Sequence, residues 1–177
     1  RINVDSVGED MALTRVKKVP TANLVQGSSF LTDVPTGTLS NLVFAEKTDA
    51  TQITANSTYQ DVGLSLNITP TSASNKILII VQFRWGNNAS VNNRVRIMRD
   101  STQVQFIDLG NVYYNFSDPR RPYMDTANSH LDSPSTTSQI TYKIQAYTNN
   151  GHFTFNGRGG ETNDEKRCQL MAMEVKV

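Results

Sequence analysis

The sequence is poor in the residues that most often carry chemistry. Cys168 is the only cysteine among 177 residues, and His130 and His152 are the only histidines. A disulfide within one chain is therefore impossible, and a zinc site built on cysteines is not expected. Because nothing near Cys168 in the sequence would lower its pKa, we expect a buried structural thiol rather than a nucleophile.

Net charge and long hydrophobic runs are lacking as well. The 17 Lys and Arg residues balance 16 Asp and Glu residues, and neither sign forms a long run. This balance gives no electrostatic basis for binding nucleic acid or an anionic membrane. The run "KILIIVQF" is far shorter than the ~20 apolar residues of a membrane span, so we expect no membrane insertion and no signal peptide. Since the chain begins with Arg1 rather than Met, we expect it to be part of a longer one.

What the sequence does contain is typical of an all-β protein. Serine, threonine and asparagine are abundant, and "QDVGLSLNIT" alternates strictly, with Val62, Leu64, Leu66 and Ile68 on one face. This alternation predicts a strand with one buried face. After Pro70 and the turn "TSASN", the segment "KILIIVQFRW" is apolar on both faces, which indicates a central strand or one at an interface.

Further short strands follow at even spacing. "NRVRIMRD" and "QVQFIDLG" predict a hairpin, residues 117–137 are expected to be irregular, and "SQITYKIQAYT" and "HFTFN" predict two more strands. Although Leu170–Glu174 could be helical by propensity, "MEVKV" alternates, so we expect a closing strand beside the first one. The pattern predicts an antiparallel β-sandwich, most consistent with a jelly roll, over residues 46–177.

Residues 1–45 differ in character. They contain scattered single hydrophobes, Pro20 and Pro35, and no period that persists for more than a few residues. The hydrophobes are too many for a free linker. We therefore expect an extended N-terminal arm, stalk or attachment segment that packs on a neighbouring subunit.

Candidate catalytic and metal-binding residues are few. Asp125, His130 and Asp132 fall within one predicted loop and could hold a divalent ion, but the same residues are ordinary in a polar loop. Asp132 is expected to bond nearby backbone N–H groups in a turn. There is no GxSxG motif, and only a spatially assembled pair of carboxylates remains open for a hydrolase. We expect no enzyme, no metal and no cofactor.

The loop "SDPRRPYMD" is the most suggestive surface segment. Arg120, Arg121 and Tyr123 combine positive charge, planar donors and an aromatic face between two prolines. Such a loop can contact a glycan, a phosphate or a protein partner. A salt bridge at a subunit contact explains the same residues, and the sequence leaves both interpretations open.

Taken as a set, several phrases resemble a known family. "DVGLSLNITPTSASNKILIIVQF", "RIMRDSTQV" and "LDSPSTTSQITYKIQAYT" are similar to a recurrent C-terminal domain of tailed-phage virion fibre proteins, common in phages of aquatic bacteria. The resemblance covers roughly residues 58–148. The closing "EKRCQLMAMEVKV" departs from the family pattern, and the region between "DSTQ" and "HLDSP" is individual to this chain.

The resemblance implies a non-enzymatic, homotrimeric structural protein of a virion, made in the bacterial cytoplasm. It implies a tail-fibre domain that attaches to a glycan or protein of the host surface and joins other virion proteins through its N-terminal arm. A fibre or cement protein that decorates the capsid is the alternative. A sugar-binding or glycan-hydrolysing jelly roll is a third possibility.

Overall fold

The computed structural model describes residues 35–54, 57–88, 92–111, 123–157 and 167–177. These residues form strands and connections, and Thr36–Val177 makes up one compact unit. The strands are β1 (Leu39–Lys47), β2 (Thr51–Thr54), β3 (Gln60–Ile68), β4 (Lys76–Asn87), β5 (Asn92–Arg99), β6 (Thr102–Asn111), β7 (Tyr123–Asp132), β8 (Ile140–Thr148), β9 (His152–Phe155) and β10 (Cys168–Val175).

The strands form two antiparallel sheets. Sheet A contains β1, β10, β4, β9, β2 and β7, and sheet B has the order β3-β8-β5-β6. Because β7 pairs with β4 along one edge, β10 and β9 both lie along the other edge of that strand. β9 thus continues the line of β10, and β2, which pairs with β9, continues the line of β1.

This pairing is that of a jelly roll. If β1 and β2 are counted as one strand, and β9 and β10 as another, the chain has eight strands. The first pairs with the eighth, the second with the seventh, the third with the sixth and the fourth with the fifth. These pairs are β1–β10, β3–β8, β4–β7 and β5–β6. The resulting long antiparallel ribbon folds over and closes the sheets through β10–β4 and β8–β5. The expected antiparallel, jelly-roll-like sandwich is confirmed.

The core lies between the sheets, where sequence alternation placed it. Val62, Leu64 and Leu66 of β3 are buried together with Ile77, Ile79 and Val81 of β4 and with Ile144 of β8, and all seven belong to one cluster. Two stacked aromatic pairs, Phe83–Phe155 and Trp85–Phe153, fill the end of the core next to β9. Alternation predicted this core correctly because each strand has one buried face.

β10 is the closing strand beside β1, as expected. Its end is fixed by Glu174, which is fully buried. Glu174 Oε1 accepts hydrogen bonds from the backbone N of Thr71 (2.7 Å), from Thr71 Oγ1 (2.8 Å) and from Asn75 Nδ2 (2.7 Å). The turn after Pro70 is therefore tied to the last strand of the sheet, and tertiary pairing overrides the helical propensity of residues 170–174.

Two boundaries differ from those expected. The stretch 117–137 was expected to be irregular, but Tyr123–Asp132 form β7, which pairs with β4 from Ile77 to Gly86. The sandwich was expected to begin at residue 46, but β1 begins at Leu39. Both segments are edge strands of sheet A, where one side of the ladder is unpaired and the hydrophobic pattern is weak.

Candidate functional site

Tyr123 lies at the start of β7, on the outer face of sheet A. The guanidinium carbon of Arg84 is 4.1 Å from the centroid of its ring. Arg84 also donates two hydrogen bonds of 2.8 Å to Asp125, one from Nε and one from Nη2. The residue is 44% exposed. Tyr123 is therefore held in place by a planar, charge-assisted contact while part of its face remains open to a partner.

The other two predicted binding residues, Arg120 and Arg121, lie outside the described residues. Their connection leaves sheet B at Asn111 and enters sheet A at Tyr123. Of the predicted set, the structure therefore places only Tyr123. The choice between a ligand and a subunit contact stays open for the two arginines.

The structure does not bring Asp125, His130 and Asp132 together in a loop. All three lie in β7, where residues of opposite parity point to opposite faces. Asp125 pairs across from Arg84 on the outer face, whereas His130 and Asp132 pair across from the core residues Ile79 and Ile77. Within the described part of the chain, no group of three or more His, Cys, Asp or Glu side chains could hold a metal ion.

Asp132 bridges the two sheets instead of capping a turn. Its carboxylate accepts bonds of 2.9 and 2.7 Å from Arg99 Nη1 and one of 2.6 Å from the hydroxyl of Tyr142. Burial and the hydrogen bond to Asp132 raise the pKa of Tyr142 well above its usual range. The expected turn contact of Asp132 was wrong, because an arginine and a tyrosine on sheet B are stronger partners for a buried carboxylate than local N–H groups.

The outer face of sheet B carries a group of residues that sequence reasoning missed. Arg96 stacks on Tyr59 at 4.0 Å, and Arg94 lies 5.4 Å from the ring of Tyr147 and 5.9 Å from that of Phe106. We call these five residues the arginine–aromatic face. The signal was the alternation Arg94, Arg96 in β5, but only the pairing of β5 with β8 and β6 shows which aromatic residues lie beside them.

Polar groups continue this face toward β3. Gln145 accepts a 2.8 Å bond from Arg96 Nε and donates one of 2.5 Å to Asp61, and Lys143 donates to the same carboxylate at 3.1 Å. Burial raises the pKa of Asp61, but the hydrogen bonds from Gln145 and Lys143 outweigh it and the pKa is lowered. A recess of about 90 Å³ lies beside Asp61 and Lys143.

Cys168 is fully buried, as expected. Burial raises the pKa of its thiol to about 11. Because the thiolate is the reactive form, Cys168 is unsuited to nucleophilic chemistry near neutral pH.

The two ends of the sandwich differ in what they contain. One end, which we call the terminal end, holds residues 36–38, 69–75, 100–101, 133–139 and 176–177. Backbone bonds from Gly37 to Lys176 and from Lys176 to Thr38 tie the start of β1 to the end of β10 there. The other end, which we call the loop end, holds the described residues 57–59, 88, 111, 123 and 149–151.

The phrases that resemble the phage family contain strands that run along the sandwich, and their turns, residues 69–75, 100–101 and 133–139, lie at the terminal end. The turn after Pro70 bonds to Glu174, Asp100 accepts a bond from the backbone N of Thr141, and Asp132 bonds to Arg99 and Tyr142. Those residues stabilise turns and sheet contacts. Asn111 and Tyr123, which flank Arg120 and Arg121 in the sequence, lie at the opposite end.

Comparisons with known proteins give structural likenesses only. No family model matches the sequence, and no curated protein matches it. Two similar solved structures are those of the Gt and Gx strains of infectious bursal disease virus, with identities of 11% and 13% and TM-scores of 0.42 and 0.41. Each match covers 78% of this chain, and 39% and 38% of the viral chains. The chain thus spans about two fifths of the length of these proteins.

No apolar helix long enough to cross a bilayer occurs among the residues that the structure describes.

Proposed function

We propose that this chain is a non-enzymatic structural protein of a tailed-phage virion, a homotrimeric fibre domain that attaches to the host surface. The observation that carries the proposal is the division between the two ends. Turns from the phrases that resemble the phage family surround the start of β1 at the terminal end, whereas Asn111 and Tyr123, which flank the loop of Arg120 and Arg121 in the sequence, lie at the loop end. Such a domain is joined to the virion at one end and presents its variable loops at the other.

The dimensions fit this role. The twelve residues of β4 run from the terminal end to the loop end, and at about 3.3 Å per residue they span roughly 40 Å. Tyr123, the described residue nearest in sequence to Arg120 and Arg121, lies across from Gly86 and is therefore separated from the start of β1 by most of this length. Binding at the loop end does not compete with attachment at the terminal end.

The arginine–aromatic face supplies a second surface suited to adhesion. Aromatic rings can stack on the apolar faces of sugars, and the guanidinium and amide groups beside them can bond sugar hydroxyls or phosphates. The shallow recess beside Asp61 and Lys143 suits contact with an extended surface rather than enclosure of a small substrate. Both features support a binding protein rather than an enzyme.

The experiment has two arms. First, gold-labelled antibody locates the protein on virions: label on the tail supports the fibre domain, and label on the head supports the alternative of a capsid-decorating or cement protein. Second, the variant Arg120→Ala/Arg121→Ala is compared with wild type for binding to host cells and for melting temperature. We expect at least a tenfold loss of binding with an unchanged melting temperature.

The matched control is Arg167→Ala/Lys176→Ala, which removes the same positive charge outside both proposed contact surfaces. Arg167 pairs with Glu46, and Lys176 follows β10 at the terminal end. Host binding should survive this change if the loop end is the contact. Equal losses in both variants would mean that net charge, and not the 112–122 loop, determines adhesion.

A further inference from the structure

The outer face of sheet A is apolar over much of its area. The cross-strand register places Phe44, Met171 and Ile80 in one row, and Met173, Leu78 and Leu131 in the next. Leu39 and Val175 form a third row, and Leu42 lies beside Met173. We call these nine residues the apolar face. They are the outward residues of strands whose inward residues form the core, so nothing in sheet B covers them.

Four members of the apolar face are about half exposed or more. These are Leu39 at 51%, Leu42 at 62%, Phe44 at 51% and Leu131 at 47%. With the five partly exposed neighbours, the patch presents on the order of 400–600 Å² of apolar surface, the upper range for a soluble monomer. A standard interface buries about 800 Å² on each partner. The apolar face is therefore large enough to form most of one side of a stable interface.

The charge distribution favours a second copy of this chain as the partner. The nine residues are uncharged, and the two charged residues at the border of the face have opposite signs: Lys76 lies across from Val175, and Glu46 lies across from Gln169 and pairs with Arg167. Contact through the nine apolar residues leaves both charges at the rim, so the cost of burying an unpaired charge is avoided. The formal net charge of +1 produces little repulsion between copies. The outer face of sheet B is unsuitable, because Arg94, Arg96, Asp61 and Lys143 would have to be desolvated there.

The geometry of β1 favours association through the face rather than through the sheet edge. The register between β1 and β10 shifts between Ser40 and Val43, and Asn41 has a φ of 48°. Such a bulge interrupts the row of backbone groups that a neighbouring strand would need for edge-to-edge pairing. The half-exposed side chains of Leu42 and Phe44 beside this bulge are thus available to pack on a neighbour.

We propose that the apolar face is the surface through which copies of this chain associate. The inference rests on the proposed homotrimer for its number of copies, and it adds the surface that holds them together. Each copy contributes its own β1, β10, β4 and β7.

The test uses the full chain and sedimentation velocity between 1 and about 100 μM. Leu42→Glu and Leu131→Glu place a carboxylate at opposite edges of the apolar face. We expect the wild type to sediment as a trimer and each variant to sediment as a monomer, with association weakened more than about 100-fold because a buried carboxylate has no partner. Far-UV and near-UV circular dichroism confirm that both variants are folded.

Phe106→Glu is the matched control, since Phe106 is 43% exposed on an edge strand of sheet B. It should remain trimeric. If the wild type is trimeric and folded Leu42→Glu and Leu131→Glu stay trimeric, the apolar face is not the interface. If the wild type is monomeric at every concentration, both the trimer and this interface are wrong. The location of the protein on virions, measured separately, tests the proposed function whatever the sedimentation result.

Discussion

Replacing Glu174 tests how the last strand holds the turn after Pro70. Its Oε1 atom is the common acceptor for three donors of Thr71 and Asn75, at 2.7 to 2.8 Å. Glu174→Gln keeps a side chain of the same length with a carbonyl acceptor but removes the charge. Glu174→Ala removes the acceptor altogether and leaves the buried amide of Asn75 and the part-buried donors of Thr71 without it.

The expected magnitudes follow from these contacts. Hydrogen bonds to a charged acceptor are roughly twice as strong as neutral ones, so Glu174→Gln should lower the free energy of unfolding by about 1–2 kcal/mol. Glu174→Ala leaves several donors unsatisfied and should cost about 2–4 kcal/mol. Glu46→Gln is the control, because its ion pair with the exposed Arg167 contributes only about 0–1 kcal/mol.

The pH dependence distinguishes the charge of Glu174 from its shape. Burial raises the pKa of Glu174, but the hydrogen bonds from Asn75 and Thr71 outweigh burial, so the pKa in the folded state is lowered. The charge therefore makes its full contribution to the free energy of unfolding above the pKa of the unfolded state, about 4.3. This contribution is lost as the pH falls through the pKa of the folded state, which is lower. We expect urea titrations between pH 7 and pH 3 to give a difference in the free energy of unfolding between wild type and Glu174→Gln. This difference should be constant above about pH 5 and should shrink in acid.

A difference in the free energy of unfolding that stays the same down to pH 3 would refute this reasoning. It would mean that the amide destabilises through its shape, for example by placing a donor where the buried Oε2 has no hydrogen-bond partner. An effect of Glu46→Gln as large as that of Glu174→Gln would also count against a specific role for the buried carboxylate.

Three further predictions concern the core and the absence of bound metal. Leu66→Ala, at a side chain only 7% exposed, should lower the free energy of unfolding by about 2–4 kcal/mol in urea titrations, because it leaves a cavity. Cys168→Ser should lower the melting temperature without loss of host binding, and the wild-type thiol should react with a disulfide reagent at pH 7 only after denaturation. Chelator treatment should leave the melting temperature unchanged, whereas a drop of several degrees would indicate a metal site.

Sequence patterns predicted the parts of the fold where one face of a strand is buried. β3 alternates over its whole length, and the buried residues are the four that alternation indicates: Val62, Leu64, Leu66 and Ile68. β10 was predicted from its last residues although its composition favours a helix. In both strands the apolar period is determined by the core, and it can be read without knowledge of the partner strands.

β7 could not be predicted in the same way. After Met124, which is 47% exposed, its inward side chains are Thr126, Asn128, His130 and Asp132, so it lacks the apolar alternation of a strand. Two of these side chains find partners on other strands: Thr126 accepts a 3.0 Å bond from Trp85 Nε1, and Asp132 bonds to Arg99 and Tyr142. Sequence reasoning placed Asp132 in a turn because its true partners are distant in the chain. The arginine–aromatic face was missed for the same reason.

The position of Tyr123 connects the proposed interface with the proposed binding loop. Tyr123 lies on the outer face of sheet A, as the apolar face does, but at the loop end, beside Arg84 and Asp125. In a cyclic trimer built on the apolar face, the copies are related by rotation, so three Tyr123 side chains lie at equivalent distances from the axis. With that axis parallel to the strands, the three loop ends face in one direction, and weak contacts by each copy add through avidity. The two interpretations of "SDPRRPYMD" are then compatible, since Tyr123 can border the subunit contact while Arg120 and Arg121 meet the host.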